Sequence, residues 1–482
     1  MRRFRWLLAV LLAFSLVAAA CGDDDDDTSA GGDDTAADSG DDGSGDDGGD
    51  TGGDDLGDDG GDDLGDTGGD TGGDDGGTGE TPEATEIGIT ADKIIVSVMA
   101  DVDNPFAPGL AQGNWDGALA WAHYVNENGG LAGREVEVRT IDTKLDITGA
   151  AFPAAIIESC ENVFAIVGSY TLFDGDVTGM ADCADMAGNP TGIPDLSVVN
   201  GEPAKYTNPT TFPVLPPEPP GGFARSGDIK WLLENVDGCC NGVLLVPNDV
   251  PSAKNLTLFS RSAWQNAGYE VADQFEVSGQ ETNYDAFTQA LKDSGATAAN
   301  SGLAVNSTVL WRKNVATNAP DLDIIWHCTQ QCYDPELFAE GDDIAEGTYV
   351  TILNLPFEEA DTNPLMQAYL DAIDATGGKM DGLGFQAFVQ GIIFGEVIEK
   401  IIAEDGSINT ITRARFLEAI SDHTTNAGGL IGDTEIGTRT PSGCFIILQA
   451  QGGEFVRLYP EEPGTFDCSP DNLVESSFTA GG

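Results

Sequence analysis

The 482-residue chain is poor in positive charge: 21 Lys and Arg stand against 82 Asp and Glu, for a formal net charge of −61. A field of that sign repels nucleic acid and acidic lipid surfaces at low salt, so neither is expected as a partner. Histidine is almost absent. His123, His327 and His423 lie far apart in sequence, which leaves little for acid–base or metal chemistry. Also missing are a Gly-x-Ser-x-Gly elbow, a phosphate-binding Gly-x-x-x-x-Gly-Lys loop and a His-Glu-x-x-His pair. Carboxylate pairs are everywhere in so acidic a chain and read as solvated surface. The sequence therefore points away from an enzyme, and no cofactor is expected.

The first 21 residues carry the opposite charge. Arg2, Arg3 and Arg5 precede an apolar run from Trp6 to Ala20, which ends in small residues before Cys21. That run is too short for a stable span, and Ala18-Ala19-Ala20-Cys21 resembles a lipobox, whose cysteine is acylated after cleavage. Residues 1–21 are thus expected to be a lipoprotein signal peptide, with lipidation at Cys21 and anchorage on the extracytoplasmic face of a bacterial membrane. From residue 22 to about 80 the chain is almost wholly Asp, Gly, Thr and Ser, with no basic residue. Too little apolar surface is present there to offset chain entropy, and the carboxylates repel. Residues 22–84 read as a disordered acidic tether with a coil span of roughly 40 Å. The near-repeat Gly-Asp-Asp-Leu-Gly-Asp around Leu56 and Leu64 offers too few aliphatics for a calcium-binding roll. Removing signal and tether leaves the remainder near −40, a surface compatible with a salt-adapted host.

Lipidation of Cys21 leaves eight cysteines, an even number outside the cytoplasm, which argues for disulfides. Spacing favours Cys160 with Cys183, Cys328 with Cys332, and Cys444 with Cys468, leaving Cys239 and Cys240 as a vicinal bridge or a free pair. The cluster from His327 to Cys332 could alternatively hold a metal, but a local disulfide accounts for it, and no metal is expected.

About 390 residues remain, more than one core usually accommodates, which predicts two lobes. Strand and helix alternate. Ile94–Ala100 reads as a buried parallel strand; Trp115, Leu119, Ala122 and Val125 recur at helical spacing until Gly129-Gly130. Strands are predicted at Val136–Ile141, Val163–Val167 and Leu196–Val199, with a helix around 150–160. After a Pro-rich break at 213–220 the cycle restarts. Helices are expected at Ile229–Leu233, Ala253–Ala267 and Tyr284–Lys292, and strands at Val243–Val246, Tyr269–Phe275, Leu322–Trp326 and Thr348–Leu353. Helices at Phe385–Ala403 and Arg413–Ile420 follow. The series fits an α/β fold of two doubly wound, Rossmann-like lobes.

The motifs agree with that layout. Asn126-Glu127-Asn128-Gly129-Gly130-Leu131-Ala132-Gly133-Arg134 before a strand resembles a signature of the type I solute-binding proteins of ABC importers, in the branched-chain amino acid and amide branch. Val163–Gly168, Ala267-Gly268-Tyr269-Glu270-Val271 and Ala345-Glu346-Gly347 follow in family order. The resemblance covers nearly everything from about Ala91 to Leu458. It implies a type I periplasmic-binding fold whose lobes are joined by a three-strand hinge, with residues 85–213 and 355–440 in lobe 1 and 214–354 and 441–482 in lobe 2. It further implies a monomeric clamp that captures a small organic solute and delivers it to the membrane subunits of an ABC permease. The same clamp could instead signal a bound ligand to a membrane receptor.

Carried over residue by residue, the resemblance nominates Phe106 as an aromatic wall. It nominates Tyr170, Thr171 and Leu172 as the loop that grips a carboxylate, and Asn200 in the next loop, where Gly201 replaces the usual threonine. The amine-holding carboxylate falls at about Gln330 or Gln331, and a glutamine brings no charge to an ammonium. Tyr333 is available to stack on a ligand. An apolar or amide-type solute, such as an aromatic acid, fits these departures at least as well as an α-amino acid. The signal predicts that Cys21→Ala releases the protein from the membrane without unfolding it, read by fractionation and circular dichroism; retention in the membrane fraction would count against lipidation.

Overall fold

A computed structural model describes residues 79–104, 108–215 and 222–476. The signal, Cys21, nearly all of the expected tether and Phe106 lie outside the described residues. β1 (Lys93–Ala100), α1 (Gln112–Glu127), β2 (Glu135–Asp142), α2 (Ala151–Asn162), β3 (Ala165–Val167), β4 (Asp195–Leu196) and α3 (Pro203–Thr207) follow in order. They build a four-stranded parallel sheet, β2-β1-β3-β4. β1 is apolar because it is central, with Ile94 opposite Val136 on one side and Val96 opposite Ala165 on the other.

The signature segment proves to be the α1–β2 turn. Gly129, Gly130 and Gly133 adopt φ of 97°, 82° and 72°, which only glycine takes without cost. Asn126 staples the turn, donating to the Val136 carbonyl at 2.9 Å and accepting from its N–H at 2.8 Å. Arg134 is 1% exposed and donates to the carbonyls of Glu83, Thr90, Ala132 and Ile408. It thereby seats the segment that precedes β1.

The second half opens with β5 (Phe223–Arg225) and α4 (Gly227–Asn235). β6 (Asn241–Pro247), α5 (Pro251–Ala267), β7 (Glu270–Val277), α6 (Asp285–Ser294), β8 (Ala298–Ser301), α7 (Val305–Asn318), β9 (Ile325–Cys328), α8 (Asp342–Ala345) and β10 (Tyr349–Ile352) continue it. The chain then returns to the first sheet through α9 (Pro364–Thr376), α10 (Gly382–Asp405) and α11 (Arg413–Ile420). A short pair follows, β11 (Thr424–Thr425) with β12 (Thr434–Glu435). The last strands are β13 (Ile446–Gln451), β14 (Glu454–Tyr459) and β15 (Leu473–Glu475), which pairs with β5. The second sheet has seven strands in the order β14-β13-β10-β9-β8-β6-β7, antiparallel only at β13 and β14. Connectors run alongside one another between the sheets, with an antiparallel bridge between Asn354 and Ile431 and a parallel one between Val199 and Leu215.

Several elements differ from the sequence expectation. The strand expected at 196–199 is only Asp195–Leu196, because Val199 pairs instead with the connector residue Leu215. The strand expected from Leu322 begins at Ile325. β8, α7, α9, β13 and β14 are additional to the elements the sequence predicts. Disulfides join Cys160–Cys183, Cys328–Cys332, Cys444–Cys468 and the adjacent Cys239–Cys240.

The principal core forms where α10 crosses α1. A Cβ on Gly117 would lie 2.0 Å from the Gly384 carbonyl oxygen, and one on Gly391 would lie 2.2 Å from the Trp121 ring. Glycine there lets two buried helices touch backbone to backbone. Around the contact, Trp121 meets Phe394 edge to face at 5.7 Å, and Phe394 meets Phe164 at 6.0 Å. Phe394→Ala should cost about 3–5 kcal/mol through the cavity it opens, read as a lowered urea midpoint; a change under about 1 kcal/mol would show that this cluster is not the core.

Candidate ligand-binding cleft

Each parallel sheet reverses its winding once, between β1 and β3 and between β6 and β8. Loops leaving the strand ends on either side of such a reversal diverge and open a crevice. Here the two crevices form one cleft of about 660 Å³. Tyr170, Leu172 and Phe173 enter it from the loop after β3, Asp249 and Val250 from the loop after β6, and Gly302 and Leu303 from the loop after β8. Leu215, Leu353 and Leu383 line it from the connectors and the start of α10. Most of the wall surface is aliphatic and aromatic, and charged and neutral polar side chains are set among it, a make-up that suits a small-molecule site.

Two hydrogen bonds cross the mouth. Ser252 Oγ donates to the Leu172 carbonyl at 2.7 Å, and Asn255 Nδ2 donates to the Gly201 carbonyl at 3.1 Å. Approach is close enough that a Cβ on Gly201 would sit 2.3 Å from the Cβ of Ser252. This accounts for glycine where the resemblance expects threonine.

The nominated residues divide sharply. Tyr170 and Leu172 line the cleft. Burial, reinforced by the carboxylates of Asp101, Asp174 and Asp381, pushes the Tyr170 phenol far above its ordinary value, so it stays a neutral donor. Thr171, between them, is 2% exposed and does not line the cleft; its hydroxyl meets no partner among the described residues. Asn200 is buried behind the wall, accepting from Ser197 Oγ at 2.8 Å. Gln330 reaches the cleft edge, but its side chain is committed elsewhere. Its Nε2 donates to Asn354 Oδ1 at 2.6 Å and to the Gly382 carbonyl at 3.0 Å, while its Oε1 accepts from Leu353 N–H at 3.0 Å. Tyr333 is 1% exposed, donates to Glu358 at 2.6 Å and stacks on Phe357 at 4.7 Å. It is a core tyrosine with an edge at the cleft. Cys328 and Cys332 are bonded to each other, so the His327–Cys332 segment offers no thiolate. Among the described residues no group of three or more His, Cys, Asp or Glu is arranged to hold a metal.

Sequence reasoning missed Trp264, Lys379 and Asp228, all of which line the cleft. Trp264 is one more apolar position on α5, and nothing local marks it. Lys379 is held by Asp334 at 2.8 Å and Asp381 at 3.2 Å. Burial opposes its charge, yet Asp381 and Asp334 outweigh it and raise the ammonium above its ordinary value. Asp381 also caps α10 through Gly384 N–H at 2.6 Å.

These features coincide with a sequence match. A family model described as periplasmic binding protein matches residues 93–454. The chain belongs to the periplasmic binding proteins. This binding protein shares its fold with a fatty acid ABC transporter substrate-binding protein from Thermomonospora curvata (16% identity, TM-score 0.59, 79% of this chain and 97% of that one). It also resembles a leucine binding protein from Thermotoga maritima (16%, 0.58, 79% and 99%). A third similar structure is an R. palustris ABC transporter solute-binding protein in complex with 4-hydroxybenzoate (18%, 0.57, 76% and 96%). No curated protein matches the chain. Family and fold are those of non-enzymatic solute-binding proteins.

Behind the wall of the cleft lies a buried ionic cluster. Lys205 Nζ, 1% exposed, is 3.6 Å from Asp174 and 4.0 Å from Asp195. Neither Asp174 oxygen has a hydrogen-bond partner among the described residues. Burial, opposed by Lys205, pushes Asp174 up to about 7. An unfolded Asp titrates near 3.9, so the folded state binds this proton more tightly. The associated stability is complete below about pH 4 and is lost as pH rises through about 7. Relative to wild type, the thermal midpoint of Asp174→Asn should therefore climb between about pH 5 and about pH 8; a difference that stays flat with pH would contradict this.

Proposed function

We propose that this protein is held by a lipid at Cys21 on the extracytoplasmic face of the membrane. There it captures a small, largely apolar organic solute between its two sheets and delivers it to an ABC permease. The observation that carries the reading is the apolar-walled cleft with its two cross-mouth hydrogen bonds at Ser252 and Asn255. A ligand closes such a clamp only by binding the closed arrangement more tightly than the open one. Those two bonds join the loops across the mouth and so favour the arrangement in which the loops meet. An α-amino acid is the less favoured solute, because Gln330 is committed to the connectors and Thr171 does not line the cleft. Leucine, a fatty acid and 4-hydroxybenzoate, named for proteins of this fold, span the sizes that a cleft of this volume suits.

The whole chain in mild detergent, screened by thermal shift against amino acids, amides, aromatic acids, amines and fatty acids, tests the reading. A true solute adds about 2.7 kcal/mol of stability at a hundredfold excess over its Kd. Gly201→Ala should weaken that solute at least about tenfold, or about 1.4 kcal/mol, and enlarge the liganded radius of gyration in X-ray scattering. No shift from any class, or unchanged affinity in Gly201→Ala, would count against capture by closure.

A further inference from the structure

Five carboxylates and two cationic side chains line the cleft. Of the cations, Lys379 is already paired with two of those carboxylates, Asp334 and Asp381. The site is therefore negative, inside a protein of strong negative charge, and a carboxylate-headed solute would enter against the field.

One carboxylate stands apart. Asp228, in the first turn of α4, is 5% exposed. Its Oδ2 accepts from Thr351 Oγ1 at 3.0 Å and lies 3.5 Å from His327 Nε2. Its Oδ1, fully buried, has no hydrogen-bond partner among the described residues. Burial favours the neutral acid, but His327, Arg225 and the Ile229 N–H outweigh it, so the group sits below its ordinary value and is ionised. A buried, ionised oxygen without a donor costs free energy unless something supplies one. Thr351, Asn300 and Trp264 line the cleft with Asp228, and Trp264 meets His327 edge to face at 5.4 Å. An ionised carboxylate lining a cleft beside a hydroxyl, an amide and an indole is the chemistry that receives an ammonium, through a charge-assisted hydrogen bond to the carboxylate.

Resting on the solute-binding reading above, we infer that the solute is an organic amine with an apolar or aromatic body, and that Asp228 Oδ1 accepts the hydrogen bond of its ammonium. Asp228 is the specificity-determining residue of the cleft. The apolar walls hold the body and discriminate little between heads, whereas Asp228 rejects a carboxylate by repulsion and a neutral head by the weaker hydrogen bond.

Three probes that share one body separate the heads: 2-phenylethylamine, 3-phenylpropionamide and 3-phenylpropionate, titrated calorimetrically into the whole chain. The expected order of affinity is amine, amide, carboxylate, with at least about a tenfold gap between the first and last. Asp228→Asn should weaken the amine about tenfold or more while moving the amide by less than about threefold, at an unchanged fold by circular dichroism. The order on the unmodified protein carries the test even where the variant fails to fold. Carboxylate binding equal to or tighter than amine binding overturns the inference and leaves solute capture standing. An amine preference that survives Asp228→Asn overturns the role of Asp228. Silence from all three overturns the amine assignment, and the broad screen then decides separately whether the cleft captures a solute of another class.

Discussion

The burial of α10 against α1 is the contact on which the rest of the molecule leans. Glycines at 117, 384 and 391 let the two helices approach to backbone contact, and three phenylalanines of α10 fill the space beneath the first sheet. The same helix organises the cleft and the connectors. Asp381 at its start caps it and holds Lys379 at the cleft. Gln386 donates to Asn354 in one connector at 2.8 Å, and Gln390 donates to the carbonyls of Ser197 and Phe212 at 2.7 and 3.0 Å. A core helix that is hydrophobic all round would need no glutamines; Gln390 satisfies two buried backbone carbonyls, and Gln386 the side-chain oxygen of Asn354, where burial would otherwise leave them unpaired.

That arrangement divides the cleft into a framed part and an adjustable part. Gln330, Asn354 and Gln386 share hydrogen bonds where α10 meets the connectors, and so fix the geometry there. The loops after β3, β6 and β8 line the cleft, and the first of them is held by Asp101, which accepts from Leu172 N–H and, in the loop after β2, from Leu145 N–H, each at 2.8 Å. Loops on a rigid frame can change specificity without disturbing the sheets. This is why a common fold accompanies such different ligands among the proteins that resemble this one.

Much of the fold was legible where local pattern and tertiary role coincide. β1 reads as a buried strand because it is central, and α11 reads as a helix because Phe416, Ala419 and Ile420 make one buried face. β8, with the sequence Ala-Ala-Asn-Ser, is buried at all four positions yet carries no β-branched or aromatic residue, so nothing local marks it. α7 buries Ser307, Thr308 and Arg312 along with its apolar residues, which blurs the helical period. Arg312 is tolerated there because it donates to the carbonyls of Ile344 and Glu346 and to Thr348 Oγ1, partners that only the folded chain supplies.

By itself the sequence determined the fold class, the alternation of strand and helix, and the nature of the α1–β2 turn, since periodicity and glycine placement are local properties of a chain. It also determined the absence of a recognisable catalytic motif and the acid character of the surface. Only the tertiary structure decided which members of a nominated loop line the cleft, because Tyr170 and Leu172 do and Thr171, buried between them, does not. It alone decided that Gln330 and Tyr333 are occupied by the protein itself and that Asp228, at the start of an expected helix, lines the cleft. Hydrogen-bond capacity is spent among residues distant in sequence, and what remains for a ligand is known only after those partners have met.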